Sequence, residues 1–279
     1  MKTIARLAAE SVAVCLLAQA ALAGPPPREP AAAGTSAVPR QAVVDLGGGV
    51  AMVFVWIPPG EFNMGSPTNE VGRETDESPH PVTLTKGFWL GKFEVTQAQW
   101  ERVMGANPSR FKGADCPVEQ VSWALAGEFL KRLNETARTP GSRRMTFRLP
   151  TEAEWEYACR AGTTTPYVTG DGEAALTQVG WYDGNSWQTT YPVGLKEPNA
   201  WGLYDMHGNV WEWCSDGYGT YPTGHVTDPA GAPSSSSRVL RGGSWYNSPF
   251  CARSAYRLRA GTEDGWGRFG LRCAATAAE

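Results

Sequence analysis

FRLPTEAEWEYACRAGT, residues 147–163, is the stretch on which the reading of the fold turns. Pro150 followed by Thr151, with Glu154 three positions on, is the signature of a helix start closed by a capping box. The spacing predicts a helix over 151–160 with Trp155, Ala158 and Cys159 facing inward. Glu152, Glu154 and Glu156 then read as an acidic first turn and solvated face, where carboxylates complement the helix dipole. Upstream, Thr96 and Gln99 repeat the capping-box spacing ahead of Trp100, Val103 and Met104, which predicts a helix over 96–104. Ala126, Phe129, Leu130 and Leu133 recur at helical spacing and predict a longer one over 122–136. Further upstream, the apolar run Met52 to Ile57, closed by Pro58-Pro59-Gly60 and followed by Glu61 to Gly65, reads as an opening hairpin. Downstream of Gly162 the chain is short apolar pieces among Gly, Pro, Asn and Trp. Helices early and irregular strands late define an α+β chain with little regular secondary structure.

Composition supports this and narrows the function. With 42% hydrophobic residues, 12 Trp, 9 Tyr and 9 Phe in 279, the chain can bury a sizeable core, and 32 Gly with 21 Pro argue against a helical bundle. Twenty-five Lys and Arg against 28 Asp and Glu leave a net charge of -3, so no basic surplus exists for a nucleic-acid partner. Residues 1–23 carry Lys2 and Arg6, an apolar run from Val12 to Leu22, and Ala21-Leu22-Ala23 as a cleavage signature, which reads as a signal peptide and places the protein in the periplasm or outside the cell. No later apolar run approaches the roughly 18 residues of a membrane span. Residues 24–41 read as a Pro/Ala-rich linker, and 42–275 as one folded domain.

Seven blocks then come in one order: VWIPPGEFNMGS (55–66), GKFEVTQAQW (91–100), PVEQVSW (117–123), FRLPTEAEWEYACRAGT (147–163), GLYDMHGNVWEWCSD (202–216), RVLRGGSW (238–245) and FGLRC (269–273). Together they closely resemble the sulfatase-modifying-factor family, whose namesake is the formylglycine-generating enzyme. The resemblance spans nearly the whole domain and implies a single complex α+β domain related to the C-type lectin fold, with much of the chain in ordered loops.

The family's namesake uses copper(I) and oxygen to oxidise a substrate cysteine, through two cysteines shortly after the GGS motif and four residues apart. Here Gly242-Gly243-Ser244-Trp245 is followed by a shorter stretch with one thiol, Cys251, lying beyond both catalytic positions; Asn247 stands nearest the place of the first. One thiolate cannot make a two-coordinate copper(I) site, so copper is not expected, and Cys251 and Ser244 are the side chains left to consider for catalysis. Asp205 and Glu212, hard oxygen donors seven residues apart around the turn-forming Gly208 and Asn209, suit calcium; the resemblance implies a calcium site made of Asp205, the carbonyls of Gly208 and Val210, and Glu212. The family's other calcium site has no counterpart after Asn185-Ser186. His80, His207 and His225 show no metal-ligand spacing and read as structural or solvated.

Loss of Cys15 with the leader leaves Cys116, Cys159, Cys214, Cys251 and Cys273 in an oxidising compartment, an odd number. Cys214 and Cys251 sit in neighbouring blocks and offer one disulfide, closing a loop of about 37 residues; Cys116 and Cys273 offer a second, and Cys159 reads as a buried free thiol. Segment 246–268 mixes large amphipathic with small adaptable side chains, as binding surfaces do, and Tyr246, Asn247, Phe250, Tyr256 and Trp266 are its candidate ligand-binding residues. In the family this region borders a peptide groove, and in members diversified by retroelements it is the randomised ligand patch. Two readings follow. One is an exported family member that binds a protein, peptide or small ligand through 244–268. The other is a periplasmic oxidoreductase, formylglycine-generating or of the pyoverdine-maturation type.

Overall fold

The computed structural model describes residues 41–137 and 145–277. The leader read at 1–23 and nearly all of the linker read at 24–41 lie outside them. All three expected helices form. α1 (Gln97–Met104) and α3 (Glu152–Arg160) are each closed by the complete capping box, Thr96 with Gln99 and Thr151 with Glu154. α2 (Trp123–Thr136) is capped by Ser122 and buries Ala126, Phe129, Leu130 and Leu133. A fourth helix, α4 (Glu173–Val179), falls where only loop was expected.

Among the described residues twelve short strands make three sheets. The largest runs in the order β1 (Gln41–Gly47), β2 (Val50–Ile57), β5 (Phe88–Gly91), β12 (Ala274–Ala277), β6 (Met145–Arg148), which seats the chain's end between early strands. β3 (Gly60–Met64), β4 (His80–Leu84) and β8 (Val226–Thr227) form a second. β10 (Leu258–Gly261), β9 (Ser237–Arg241), β7 (Trp211–Gly217) and β11 (Phe269–Gly270) form the third. The opening hairpin is a correction. β2 pairs antiparallel with β1, through a turn at Gly47 to Gly49 whose positive φ values glycine adopts freely, whereas the following strand leaves for another sheet. Pro58-Pro59 drives that departure, since proline has no N–H for the ladder. Gln41, read as the end of the linker, is the first residue of β1.

Besides a small group around Tyr167, Leu176 and Tyr182, two apolar clusters fill the interior among the described residues. One gathers Trp100, Phe129, Trp211, Trp213 and Phe269; the other gathers Ile57, Leu90, Trp155, Cys159, Met206 and Cys214. The cysteines are a second correction, because all five described ones are free. Cys214 is fully buried in the second cluster while Cys251 packs against the first, so the expected pair sits in different packing environments. Cys159 is a buried free thiol, as read.

The acidic face of α3 is a third correction. Only Glu154 does the capping expected of it, joined to Arg148 at 2.6 Å. Glu152 and Glu156 are 3% and 0% exposed. Glu156 accepts hydrogen bonds from Arg160, Arg241 and the Gly65 N–H, and Glu152 accepts from Arg257 at 2.6 and 2.9 Å. Arg241 continues to the carbonyls of Ser254, Ala255 and Tyr256, so α3 is stitched to the C-terminal segment. Removing one partner of such a pair strands a buried charge. Glu156→Ala should therefore cost about 3 to 5 kcal/mol in urea unfolding, and Glu154→Ala about 1 kcal/mol, the value of a cap. Equal costs would mean that Glu156 is solvated after all.

Candidate functional site

β9 delivers the chain to Gly242 and Gly243, both at positive φ. A side chain on Gly243 would meet the Ala252 backbone at 2.9 Å, so glycine lets the GGS turn lie against the segment that follows. Trp245 points inward at 7% exposure, held by Nε1 donating to the Gly267 carbonyl at 3.0 Å and by its own carbonyl accepting from Ser186 Oγ at 2.6 Å. On this frame Tyr246, Phe250 and Trp266 stand 55%, 47% and 53% exposed, which is high for large apolar rings. The Arg268 guanidinium lies over two of them, 5.4 Å from the Tyr246 ring and 4.6 Å from that of Trp266.

The other two candidates of this segment are framework. Asn247 is half-buried, and its Oδ1 accepts from Trp211 Nε1 at 2.8 Å and from Ser244 Oγ at 2.6 Å. Tyr256 is half-buried against Trp211 and the first core cluster. The catalytic candidates fare similarly. Ser244 is buried with its hydroxyl committed to Asn247. Cys251 is half-buried at the 3-10 turn Pro249–Ala252, and burial pushes its thiol up, away from the reactive thiolate. Trp187 was not singled out in the sequence. It is 86% exposed, on a loop where it and Gln188 take positive φ, and Ser186 fastens that loop to Trp245. Its only signal was the NSW tripeptide, which has no period to mark it as surface or core.

Phe250 faces a different neighbour from Tyr246. With Val71, Pro166, Tyr167 and Glu173 it lines a cavity of about 440 Å³ between the 66–77 loop and α4. Arg253 closes the base of that cavity, paired with Glu70 at 2.6 Å and Glu77 at 2.7 Å.

Below the frame lies the Asp205 turn. Asp205 and Asn209 both take positive φ, and Gly208 is bound to be glycine because a Cβ would fall 2.1 Å from the Trp181 carbonyl. Asp205 is 2% exposed; its Oδ2 accepts from the Gly194 N–H at 2.7 Å, while Oδ1 has no hydrogen-bond partner. Glu212 is occupied, accepting from Arg272 and from Trp155 Nε1 at 2.7 Å. Glu94, unnoticed in the sequence, completes a trio of buried carboxylates, accepting from Asn209 Nδ2 and the Val210 N–H. Burial first, then Asp205 and Glu212, hold Glu94 well above the usual carboxylate range, and burial raises Asp205 to about 6. Among the described residues no three His, Cys, Asp or Glu side chains are arranged to hold a metal by themselves.

A thiol and an imidazole do meet. Cys159 Sγ is 3.7 Å from His207 Nε2 and 3.6 Å from Ser254 Oγ. The trio is sealed in the core, and burial pushes the Cys159 thiol up to about 12, so it is no nucleophile. His207 bonds the Ala252 carbonyl through Nδ1 at 2.8 Å, and Nε2 accepts from the Val168 N–H. Burial lowers its pKa from 6.5 to about 4. A histidine neutral in the fold but protonated in the unfolded chain lowers stability as pH falls from 6.5 towards 4. This group should account for about 3 kcal/mol of the loss across that window. Denaturant unfolding between pH 7 and 4 should show a shallower decline in His207→Gln; parallel curves would place the titration elsewhere.

The GGS turn with its seated tryptophan, the Asp205 turn and the three curled sheets define a domain of the formylglycine-generating-enzyme type. The sequence profile of the sulfatase-modifying factor enzyme 1-like domain matches residues 49–277, and the chain belongs to that family. It is 35% identical over 207 residues to the formylglycine-generating enzyme of Streptomyces coelicolor, a match covering 67% of this chain and 60% of that enzyme. Treponema denticola variable protein 1 superposes with a TM-score of 0.77 at 30% identity, covering 85% of this chain and 99% of its own. PvdO from Pseudomonas aeruginosa superposes with a TM-score of 0.68 at 29% identity, covering 80% and 94%. Among the described residues no helix is long and apolar enough to cross a membrane.

Proposed function

We propose that this is an exported, periplasmic or secreted, binding member of the family rather than a formylglycine-generating enzyme, and that its protein, peptide or small-molecule ligand sits on segment 244–268. The observation that carries the reading is the exposure of Tyr246, Phe250 and Trp266 on a backbone whose intervening residues Ala252, Arg253, Ser254 and Ala255 are buried. Rigid aromatic rings give large contact area at small entropic cost, and fixed backbone lowers the cost further. Trp187 extends the same surface from the neighbouring loop.

The thiol chemistry supports the same reading. Copper(I) takes soft thiolates, and the stretch after the GGS turn has a single cysteine, whose thiol is held protonated by burial. Incubation of the protein with copper(I), oxygen and a cysteine-containing sulfatase-type peptide should leave the peptide mass unchanged. Formylglycine that appears with wild type and vanishes with Cys251→Ser would establish the oxidoreductase reading instead. For binding, a displayed random-peptide library selected on the wild-type protein should yield peptides whose affinity drops by about 2 kcal/mol for each of Tyr246→Ala and Trp266→Ala. Melting temperatures should stay within about 0.5 kcal/mol equivalents, as for surface changes. Variants that unfold, or that keep full affinity, would remove this surface from consideration.

Calcium belongs to the same proposal, held by Asp205, the Gly208 and Val210 carbonyls and Glu212. Its support is the partnerless buried Oδ1 of Asp205, within a carboxylate trio faced by Arg272 and, at Asp205, by Lys196. Because Arg272 and Trp155 already use Glu212, the ion would share that carboxylate with the guanidinium. Its contribution is structural, since an ion that binds only the folded state adds about 2.7 kcal/mol at a hundred times its Kd. Chelation should lower the melting temperature of wild type and leave Asp205→Ala unmoved; a wild-type melt indifferent to chelator excludes the ion.

A further inference from the structure

A second cavity, of about 540 Å³, opens at the start of α3, where the end of β7 meets the 219–232 loop. Its walls are largely apolar, with Met64, Val226, Pro229 and Ala232 among them, and three charged side chains reach it: Glu152, Asp216 and Arg257. Two of these are already satisfied by one another. Arg257 gives Nε and Nη2 to Glu152, and Nη1 to the carbonyls of Asp76 and Gly219. Glu152 accepts, in addition, the Tyr221 hydroxyl at 3.0 Å.

Asp216 is left over. It is 3% exposed, and both hydrogen bonds it accepts, from the Glu152 N–H at 2.9 Å and Ser215 Oγ at 3.0 Å, go to Oδ2, leaving Oδ1. His80 also lines the cavity at 3% exposure. Its Nδ1 must donate to the Ser78 carbonyl 2.9 Å away, so in the neutral ring Nε2 keeps a lone pair. The cavity lining thus offers two acceptors without partners, two carboxylates to one guanidinium, with the buried Arg241 behind Glu152 at 3.6 Å, and an apolar wall with the Tyr221 ring 4.7 Å from that of His80. An anion would meet Asp216 and Glu152, and a neutral molecule would leave the buried carboxylate uncompensated. A bare metal ion would leave the apolar walls untouched.

We propose that this cavity is a second binding site, separate from the aromatic surface, for a small organic cation: a primary ammonium or amidinium whose N–H groups donate to Asp216 and His80 and whose alkyl or aryl body lies on the Tyr221 wall. Burial and the neighbouring Glu152 raise the Asp216 carboxyl to about 7, as expected of a carboxylate awaiting a counter-ion.

The test is calorimetric titration at pH 8 of the full-length protein with benzylamine, benzyl alcohol and benzoate, which share a body and differ in charge. Benzylamine should bind, and the other two should bind at least about ten-fold more weakly, the worth of one charge-assisted hydrogen bond. Asp216→Asn, with its fold checked by melting, should weaken benzylamine by about ten-fold, and Ala230→Phe, which fills the cavity from an exposed loop position, should do the same without touching the acid. Tyr246→Ala should have no effect. Benzoate or benzyl alcohol binding as well as benzylamine, no binding at millimolar benzylamine, or full binding by both cavity variants would each overturn the proposal.

Discussion

Guanidinium groups cannot be neutralised in a protein interior, and among the described residues this one encloses five of them: Arg160, Arg241, Arg253, Arg257 and Arg272. Each must meet a carboxylate, and the carboxylates come from elsewhere in the chain: Glu70 and Glu77 from an early loop, Glu152 and Glu156 from α3, Glu212 from β7. Buried pairs of this kind add little stability over apolar packing, yet separating them costs several kcal/mol. Their effect is on register. With Arg241, Arg253, Arg257 and Arg272 each matched to its own partner, the chain from β9 to β12 cannot slip without stranding charge.

That constraint explains how a segment so poor in regular structure can carry exposed rings. Between Trp245 and Phe269 the only strand is β10, so no long ladder of backbone hydrogen bonds holds the loop. The loop is held by side chains instead: Arg253 below Phe250, Arg241 on the carbonyls of residues 254–256, and Trp245 seated on Gly267. Aromatic side chains on such a loop stay where they are placed, which is what a recognition surface needs. The same lock serves the second cavity, since Arg257 and Glu152 form its wall and are spent on each other, leaving Asp216 as the charged group that faces a ligand beside His80.

Much of this was legible in the sequence and some of it could not have been. The helices were, because capping boxes and apolar spacing act within a few residues. Glu152 and Glu156 were not, because Arg257 and Arg241 lie 105 and 85 residues away and nothing local marks a carboxylate as paired. The opening hairpin was misplaced for the converse reason: Pro58-Pro59-Gly60 is a strong local turn signal, and the sheet used the quieter Gly47 to Gly49 turn. At the candidate site, three of five residues chosen for chemical type proved exposed, while Asn247 and Tyr256 went inward because Trp211 lay opposite them. Glu94 escaped because its partners Asn209 and Val210 lie 115 and 116 residues away, and Trp187 because nothing periodic around it marks a solvent-facing ring.

Asn247 ties two parts of this frame together. A cysteine thiol in its place would accept hydrogen bonds only weakly. The amide oxygen instead accepts from both Trp211 Nε1 and Ser244 Oγ, joining the strand that carries Glu212 to the GGS turn. Asn247→Cys would therefore leave a buried indole N–H and a serine hydroxyl short of an acceptor, at about 1 to 3 kcal/mol for each unsatisfied group. Asn247 is thereby part of the frame, and the rings on either side of it, Tyr246 and Phe250, are what the segment offers to solvent.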